Sequence, residues 1–453
     1  MNVNENLPDR SSRVSRASRV SRSSLLRLFG PAAGIVLTLA VAVLLWSRDE
    51  GPGNLPAPVL APLALDPSEN AFARILDASR LIPAELVNPD VKKIEFMALD
   101  LVRDVELENR LVAAGRPAVP LLDRALRCVA SQAPQSISPG SIGDVQSLRF
   151  LEKALQVQAL ALARGGRADE AIDLALLLAG AGRRLEESGG NTVFWSTGNA
   201  FLDAGARVVG LVASRYAPSD EALRRALVVL PSLRTDPATL AFAMRCEYAA
   251  FVRHVEAAGK KRAAPAGASF WQRVSAGVGN FPLFFKPRQT GDLFLAYLGQ
   301  SLLLIDLPVS SRTGAPIHPR HDPRLGQRHR LNPENSVGIG LLSVVTPPWP
   351  SLLTSRLCEQ SQLSLTGAVV ALRLYHNRHG VLPDSLGALV PEWLPSVPRD
   401  YVDGEPLRYS REFRSVWSTG REAFVVRSVG GDVDPYEIFT RLEFAGPRAR
   451  VAE

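Results

Sequence analysis

Residue types that bind metal ions occur together in one stretch of the chain that is rich in arginine and proline. The stretch contains His318, His321, Asp322 and His329. Imidazole and carboxylate groups are common ligands of divalent cations. However, arginines surround these residues and would repel a cation, and no helical or strand periodicity fixes their spacing. We therefore expect a solvated loop or an anion-binding patch here rather than a metal site.

A second histidine pair, His376 and His379, lies one turn apart near the end of a predicted helix that is followed by Gly380. Two imidazoles one turn apart would suit a metal ion. Cations in the last turn also complement the helix dipole, and glycine is the usual residue just after a helix. We favour the helix terminus as the interpretation of these residues.

Paired carboxylates can do general acid–base work, and Asp100 and Asp104 lie one helical turn apart with Arg103 between them. The alternation of acidic and basic residues favours an exposed helix face instead. The sequence contains no phosphate-binding P-loop, nucleophile elbow, H-E-x-x-H motif or strand-linked G-x-G-x-x-G motif. The three cysteines, at positions 128, 246 and 358, lack metal-ligand spacing and are expected to be small buried residues.

The elements that must position these residues are mainly helical. From about Asn70 to His254, leucine, valine and alanine recur at three- and four-residue spacings, with breaks at proline or glycine. The predicted helices are 69–80, 92–114, 118–131, 145–165, 168–187, 193–215, 219–230 and 236–257. A weak echo of Asp-Glu-Ala about 51 residues apart, at Asp169 and Asp220, favours stacked helical hairpins over a regular repeat array.

The following region, 258–349, is irregular, with one apolar helix within 291–308 and a short apolar run at 336–346 that is too short to span a membrane. A long helix is predicted at about 350–379. The last part, 350–453, then adds a short helix at 384–390 and strands near 407–409, 424–428 and 438–442, which together predict a small α+β module.

The net charge of +7 is concentrated at the N-terminus, where residues 1–27 carry six arginines against Glu5 and Asp9. This segment is predicted to be a disordered basic tail. Residues 28–46 carry no charge and would span about 28 Å as a helix, which matches a bilayer. We favour a single transmembrane signal-anchor over a cleaved signal peptide with Ala40 and Ala42 at its cleavage site.

The positive-inside rule places the N-terminus in the cytoplasm and the bulk of the chain outside it, anchored in the inner membrane. A proline-rich linker, 47–68, would hold the folded helical domain at 69–257 away from the lipid. Membrane lipid explains the basic tail, so we expect no nucleic-acid partner.

The C-terminal module carries a resemblance to a known family. Its motifs are L-P-D-S-L, L-V-P-E-W-L, D-G-E-P-L-R-Y and S-V-G-G-D, in that order. This pattern resembles the globular part of the major pseudopilin of bacterial type II secretion, and the whole chain resembles uncharacterised bacterial membrane-anchored proteins with helical middles. The apolar segment lacks the glutamate that pseudopilins carry at its fifth position, so we do not expect assembly into a fibre by the family's route.

The resemblance implies a calcium site in the C-terminal loop. The positions that match the family's loop are Ser428, Gly430, Asp432 and Asp434, with Asp403 as a less secure addition. Calcium requires six to eight oxygen ligands. The alternative is ordinary turn chemistry, because aspartate and glycine both favour tight turns.

These observations favour a membrane-anchored, extracytoplasmic binding or scaffolding protein of the bacterial envelope over an enzyme. The pseudopilin-like module suggests a link to a secretion or pilus-like machine and its proteins. The alternative is an extracytoplasmic, hydrolase-like enzyme that uses the irregular 258–335 region as its active site.

Overall fold

Helices account for 73% of the residues that the structure describes, which confirms the mainly helical prediction. The computed structural model describes residues 65–87, 90–134, 139–259, 285–312, 335–345, 349–412 and 414–418. The first helices are α1 (Ala71–Ser79), α2 (Val91–Ala98), α3 (Val105–Gly115), α4 (Val119–Arg127), α5 (Pro139–Arg164) and α6 (Ala168–Glu186), with a single helical turn at Ala84–Val87. The later ones are α7 (Thr192–Arg215), α8 (Asp220–Ser232), α9 (Pro237–Gly259), α10 (Pro287–Leu303), α11 (Ser336–Val345) and α12 (Trp349–His379).

The predicted continuous helix at 92–114 is wrong, because it is divided into α2 and α3. Asp100 adopts a left-handed backbone conformation with φ of 60°, which an α-helix does not accommodate. Asp104 then caps α3, since its Oδ1 accepts a hydrogen bond from the Leu107 N–H at 3.0 Å. Asp100 and Asp104 therefore do not share one helix face.

Helices α6 and α7 form a closely packed hairpin. A Cβ placed on Gly182 would lie 2.4 Å from the backbone nitrogen of Leu202, and one on Gly205 would lie 2.4 Å from the carbonyl oxygen of Ala175. These distances are shorter than any real Cβ contact, so the two backbones approach each other only where glycine is present.

The long helix α12 connects two apolar cores. Its beginning, at Trp349 and Leu353, packs with α9, α10 and α11. Its later part, from Leu363 to Leu374, packs with α7 and α8 in a core that also contains α1 to α6. Leucines from the segment after α12 enter that same core.

The region after α12 contains a small amount of strand. Strand β1 (Arg408–Ser410) pairs antiparallel with β2 (Ser415–Trp417), with Tyr409 opposite Val416. Strand β1 confirms the strand predicted near 407–409, and the predicted helix at 384–390 is a short 3-10 turn at Leu386–Leu389. The strands predicted at 424–428 and 438–442 lie outside the described residues.

The predicted membrane segment, 28–46, also lies outside the described residues. Within the described ranges, none of the helices combines the length and the apolar composition that crossing a membrane requires. Cys246 and Cys358 are buried as expected, whereas Cys128 is half-buried at the end of α4.

Candidate binding groove

A groove of about 540 Å³ lies between α8, α12 and the segment 393–406. Most of its lining is apolar, contributed by leucines of α8 and α12 and by Trp393 and Tyr401. Two arginines, Arg234 and Arg399, also line it, and the described lining contains no aspartate or glutamate. The groove therefore combines apolar walls with positive charge.

Helix α12 supplies the floor of the groove. Leu363 and Gly367 are four residues apart, so they lie on the same side of the helix. A Cβ on Gly367 would have no atom within 4 Å, which means that this glycine leaves open space rather than permitting a close backbone contact.

Hydrogen bonds connect the opposite wall of the groove, which is the segment 393–406, to α12. The Ser361 hydroxyl donates to Oδ1 of Asp400 at 2.8 Å and accepts from the Tyr401 N–H at 2.8 Å. Asp400 is fully buried and also accepts from Arg408 at 2.9 Å. This network fixes Tyr401 relative to the groove floor.

Asp403 belongs to a tight turn, Asp403–Gly404, that lies next to this wall of the groove. Gly404 has φ of +84°, a conformation that favours glycine. Oδ1 of Asp403 accepts from the Glu405 N–H at 3.0 Å, and its Oδ2 pairs with Arg408. Both carboxylate oxygens therefore take part in the turn, which supports the turn interpretation of this residue.

The end of α12 supports the wall from the other side. Gly380 has φ of +73° and its N–H donates to the His376 carbonyl at 2.8 Å, which confirms the predicted helix terminus. The His379 ring lies edge-on to Trp393, with centroids 6.0 Å apart. Burial and two nearby arginines, Arg373 and Arg414, lower the pKa of His376.

A buried pair of carboxyl groups lies beside the groove, where α6, α7 and α12 meet. Glu186 and Glu359 are 2% and 1% exposed, and their side chains are hydrogen-bonded to each other. Oε2 of Glu186 accepts from the Thr235 hydroxyl at 2.6 Å, and Oε2 of Glu359 accepts from the Asn199 amide at 2.5 Å. Oε1 of Glu186 is buried and accepts from no N–H or neutral hydroxyl donor of the described residues, which leaves it available for a proton on Glu359.

Burial raises the pKa of both carboxyl groups. The pKa of Glu186 is raised to about 7, although the Thr235 hydroxyl and Arg356 oppose the effect of burial. The pKa of Glu359 is raised further by its proximity to Glu186. Because two neighbouring negative charges repel each other, we expect the two carboxyl groups to share a proton in neutral solution.

Thr235 links this pair to the groove. Its carbonyl oxygen accepts from Nη2 of Arg356 at 3.1 Å, while its hydroxyl donates to Glu186. Thr235 directly follows the groove residue Arg234, so the carboxyl pair and Arg356 hold the backbone that presents that arginine.

Apart from Asp403, the sequence-predicted ligands lie outside the part of the chain that the structure describes. The calcium candidates Ser428, Gly430, Asp432 and Asp434 lie outside the described residues, as do His318, His321, Asp322 and His329. Within the described part of the chain, no group of three or more His, Cys, Asp or Glu residues is placed to hold a metal ion.

The carboxylates at positions 100 and 104 have structural partners. Asp100 is not on an exposed helix face, since its side chain is 13% exposed and pairs with Arg164 at 2.7 Å and with Arg215 at 3.1 Å. The Tyr216 hydroxyl donates to it at 3.3 Å. The cluster joins the turn after α2 to α5 and α7, so its role is to connect helices.

Sequence reasoning missed the carboxyl pair and the groove. Glu186 is one of several charged residues near the end of α6, and nothing in its neighbours marks it as buried. A weak signal was present in α12, where Arg356, Glu359 and Gln360 recur at three- and four-residue spacings on one side of the helix, but this pattern alone does not distinguish a buried polar cluster from an exposed face. Comparison with family models, with curated proteins and with solved structures found no match.

Proposed function

We propose that this chain is a binding protein of the bacterial envelope whose groove holds an extended, proline-containing protein segment. The observation that carries the proposal is the groove itself, with about 540 Å³ of mostly apolar space between two elements that hydrogen bonds hold in place. Its volume is within the range of ligand sites. Aromatic residues such as Trp393 and Tyr401 commonly line grooves that recognise proline-rich segments.

Binding is favoured over catalysis because of where the carboxyl pair lies. A general acid or base must be within hydrogen-bond reach of its substrate. Glu186 and Glu359 are enclosed by Asn199, Thr235 and Gln360 and are almost completely buried. Their hydrogen bonds support a structural role, in which the pair stabilises the fold beside the groove.

Two variants of helical glycines test the groove. Gly367→Leu places a side chain in the groove, whereas Gly299→Leu places one on the exposed face of α10. A Cβ meets no atom within 4 Å at either position, so both variants are expected to fold. Removing a glycine from a helix interior stabilises it by about 0.5–1 kcal/mol.

The measurement is selection of displayed proline-containing peptides on the purified full-length protein. We expect enrichment on the wild type and on Gly299→Leu, and its loss on Gly367→Leu. Equal enrichment on all three proteins would show that the groove is not the binding site.

The envelope location rests on the N-terminal sequence. The uncharged segment 28–46 after a basic tail supports an inner-membrane anchor with the bulk of the chain outside the cytoplasm, near secretion or pilus-like machinery. Alkaline phosphatase fused after Glu453 should be active in intact cells, since the enzyme requires an oxidising compartment. Activity of a cytoplasmic reporter at the same position would contradict this topology.

A further inference from the structure

We infer that the segment recognised by the groove is acidic and that Arg234 and Arg399 bind its carboxylates. The inference rests on the proposed function and adds the charge of the ligand. Both arginines line the groove and are exposed, and no acidic residue accompanies them in the described lining. An acidic peptide complements this charge, whereas a basic one is repelled.

Other arginines near the groove differ from Arg234 and Arg399 because they form ion pairs with carboxylates. In the region around the groove wall, Arg408 pairs with Asp400 and Arg411 pairs with Asp384. Neither Arg234 nor Arg399 forms an ion pair with a carboxylate of the described residues. Their positive charge is therefore available to a ligand.

Arg234 is also held in a suitable orientation. Its guanidinium lies 5.1 Å from the centroid of the Tyr401 ring. A guanidinium that stacks on an aromatic face keeps its N–H groups at the edge, where they bind carboxylates in a bidentate manner. The peptide is then expected to place an apolar residue against the aromatic wall and a carboxylate at its rim.

The backbone at both arginines is fixed before any ligand arrives. Thr235 follows Arg234; its hydroxyl donates a hydrogen bond to Glu186 at 2.6 Å, and its carbonyl oxygen accepts one from Arg356 at 3.1 Å. Arg399 forms an antiparallel bridge with Pro406 and precedes the buried Asp400. Because these segments are already ordered, less conformational entropy is lost when the ligand binds.

Three short peptides test the inference. They share one length and one proline and leucine content, and they differ only in flanking residues, which are aspartate, asparagine or lysine. Affinities are measured by fluorescence anisotropy with the full-length protein in detergent. We expect the aspartate peptide to bind about tenfold more tightly than the asparagine peptide, with a difference that shrinks as salt is added.

Arg234→Gln and Arg399→Gln should each remove most of that difference. Arg224→Gln is the matched control, because Arg224 is exposed on α8 and does not line the groove. It removes the same charge and should leave the preference unchanged.

The outcomes separate the two proposals. If the aspartate and asparagine peptides bind equally and Gly367→Leu abolishes both, the acidic preference is wrong and groove binding stands. If none of the three peptides binds, both proposals are wrong. If dodecanoate binds in an Arg234-dependent manner while the peptides show no acidic preference, the carboxylate belongs to a fatty acid and the peptide inference is overturned.

Discussion

Replacing Glu186 by glutamine tests the buried carboxyl pair with little change in shape. The amide oxygen of glutamine can still accept from the Thr235 hydroxyl. Its N–H groups would occupy the position of Oε1, which accepts from no donor among the described residues. Glu186→Gln therefore removes one titrating group from the pair without leaving Thr235 unpaired.

The sign of the pH dependence follows from the raised pKa. Burial raises the pKa of Glu186 from 4.5 to about 7, so the unfolded chain loses this proton at lower pH than the folded chain. Below the unfolded pKa the titration of this group does not change the free energy of unfolding. Between about pH 4.5 and pH 7, the contribution of Glu186 alone to that free energy falls by about 1.4 kcal/mol per pH unit, or about 3 kcal/mol in all.

The variant should lose this decline. The pKa of Glu359 should also fall, because the charge and the hydrogen bond of Glu186 both raise it in the wild type. We therefore expect Glu186→Gln to gain at least about 3 kcal/mol relative to the wild type as the pH rises from about 5 to about 8. The assay is urea denaturation of the full-length protein, followed by circular dichroism at several pH values.

The control is Glu187, which directly follows α6 and pairs with Arg183 at 2.8 Å near the surface. Glu187→Gln makes the same chemical change at the next position without altering the buried pair. If Glu186→Gln gives a pH profile parallel to that of the wild type, the two carboxyls do not share a proton in the folded protein and the reasoning is refuted.

Two further predictions concern packing and the groove wall. Gly205→Ala should lower the free energy of unfolding by about 1–3 kcal/mol because the new methyl group collides with the backbone of α6, whereas Gly299→Ala should leave it unchanged or slightly higher, as thermal denaturation can measure. Asp400→Asn should lower the free energy of unfolding by about 1–3 kcal/mol, since it removes the buried negative charge that pairs with Arg408. It should also speed amide hydrogen exchange at Tyr401, whose N–H donates to Ser361. An unchanged exchange rate would mean that the Ser361 contact alone holds the wall.

Helix boundaries could be predicted wherever the signals that start and stop a helix are local. Helix α8 starts within one residue of the predicted 219, because the Ser219 hydroxyl accepts from the Ala222 N–H at 3.2 Å and caps the helix. The failure at 92–114 has a non-local cause. Asp100 is held in a left-handed conformation by arginines of α5 and α7, and the sequence does not reveal which helices will surround it.

The groove depends on contacts that no local pattern encodes. Leu230 and Leu363 line the same space although they are far apart in sequence. The wall is fixed by a bond between Ser361 and Asp400, and both residue types are ordinary at exposed positions. The motif D-G-E-P-L-R-Y predicted a turn at this place, but not that the turn would close one side of a groove.

Helix α12 explains why the protein retains a costly group of polar residues in its interior. Arg356, Glu359 and Gln360 are all more than nine-tenths buried, and replacing such groups by apolar ones often stabilises a protein. In this fold Arg356 donates to the Thr235 carbonyl oxygen, Gln360 donates to Glu359, and Glu359 is hydrogen-bonded to Glu186, so the group connects α12 to the end of α6 and to the loop before α9. Apolar side chains would fill the same volume but would not fix the backbone at Arg234. The carboxyl pair is therefore best understood as a positioning device for the groove, and the pH at which it loses its shared proton should also be the pH at which the acidic peptide begins to bind less tightly.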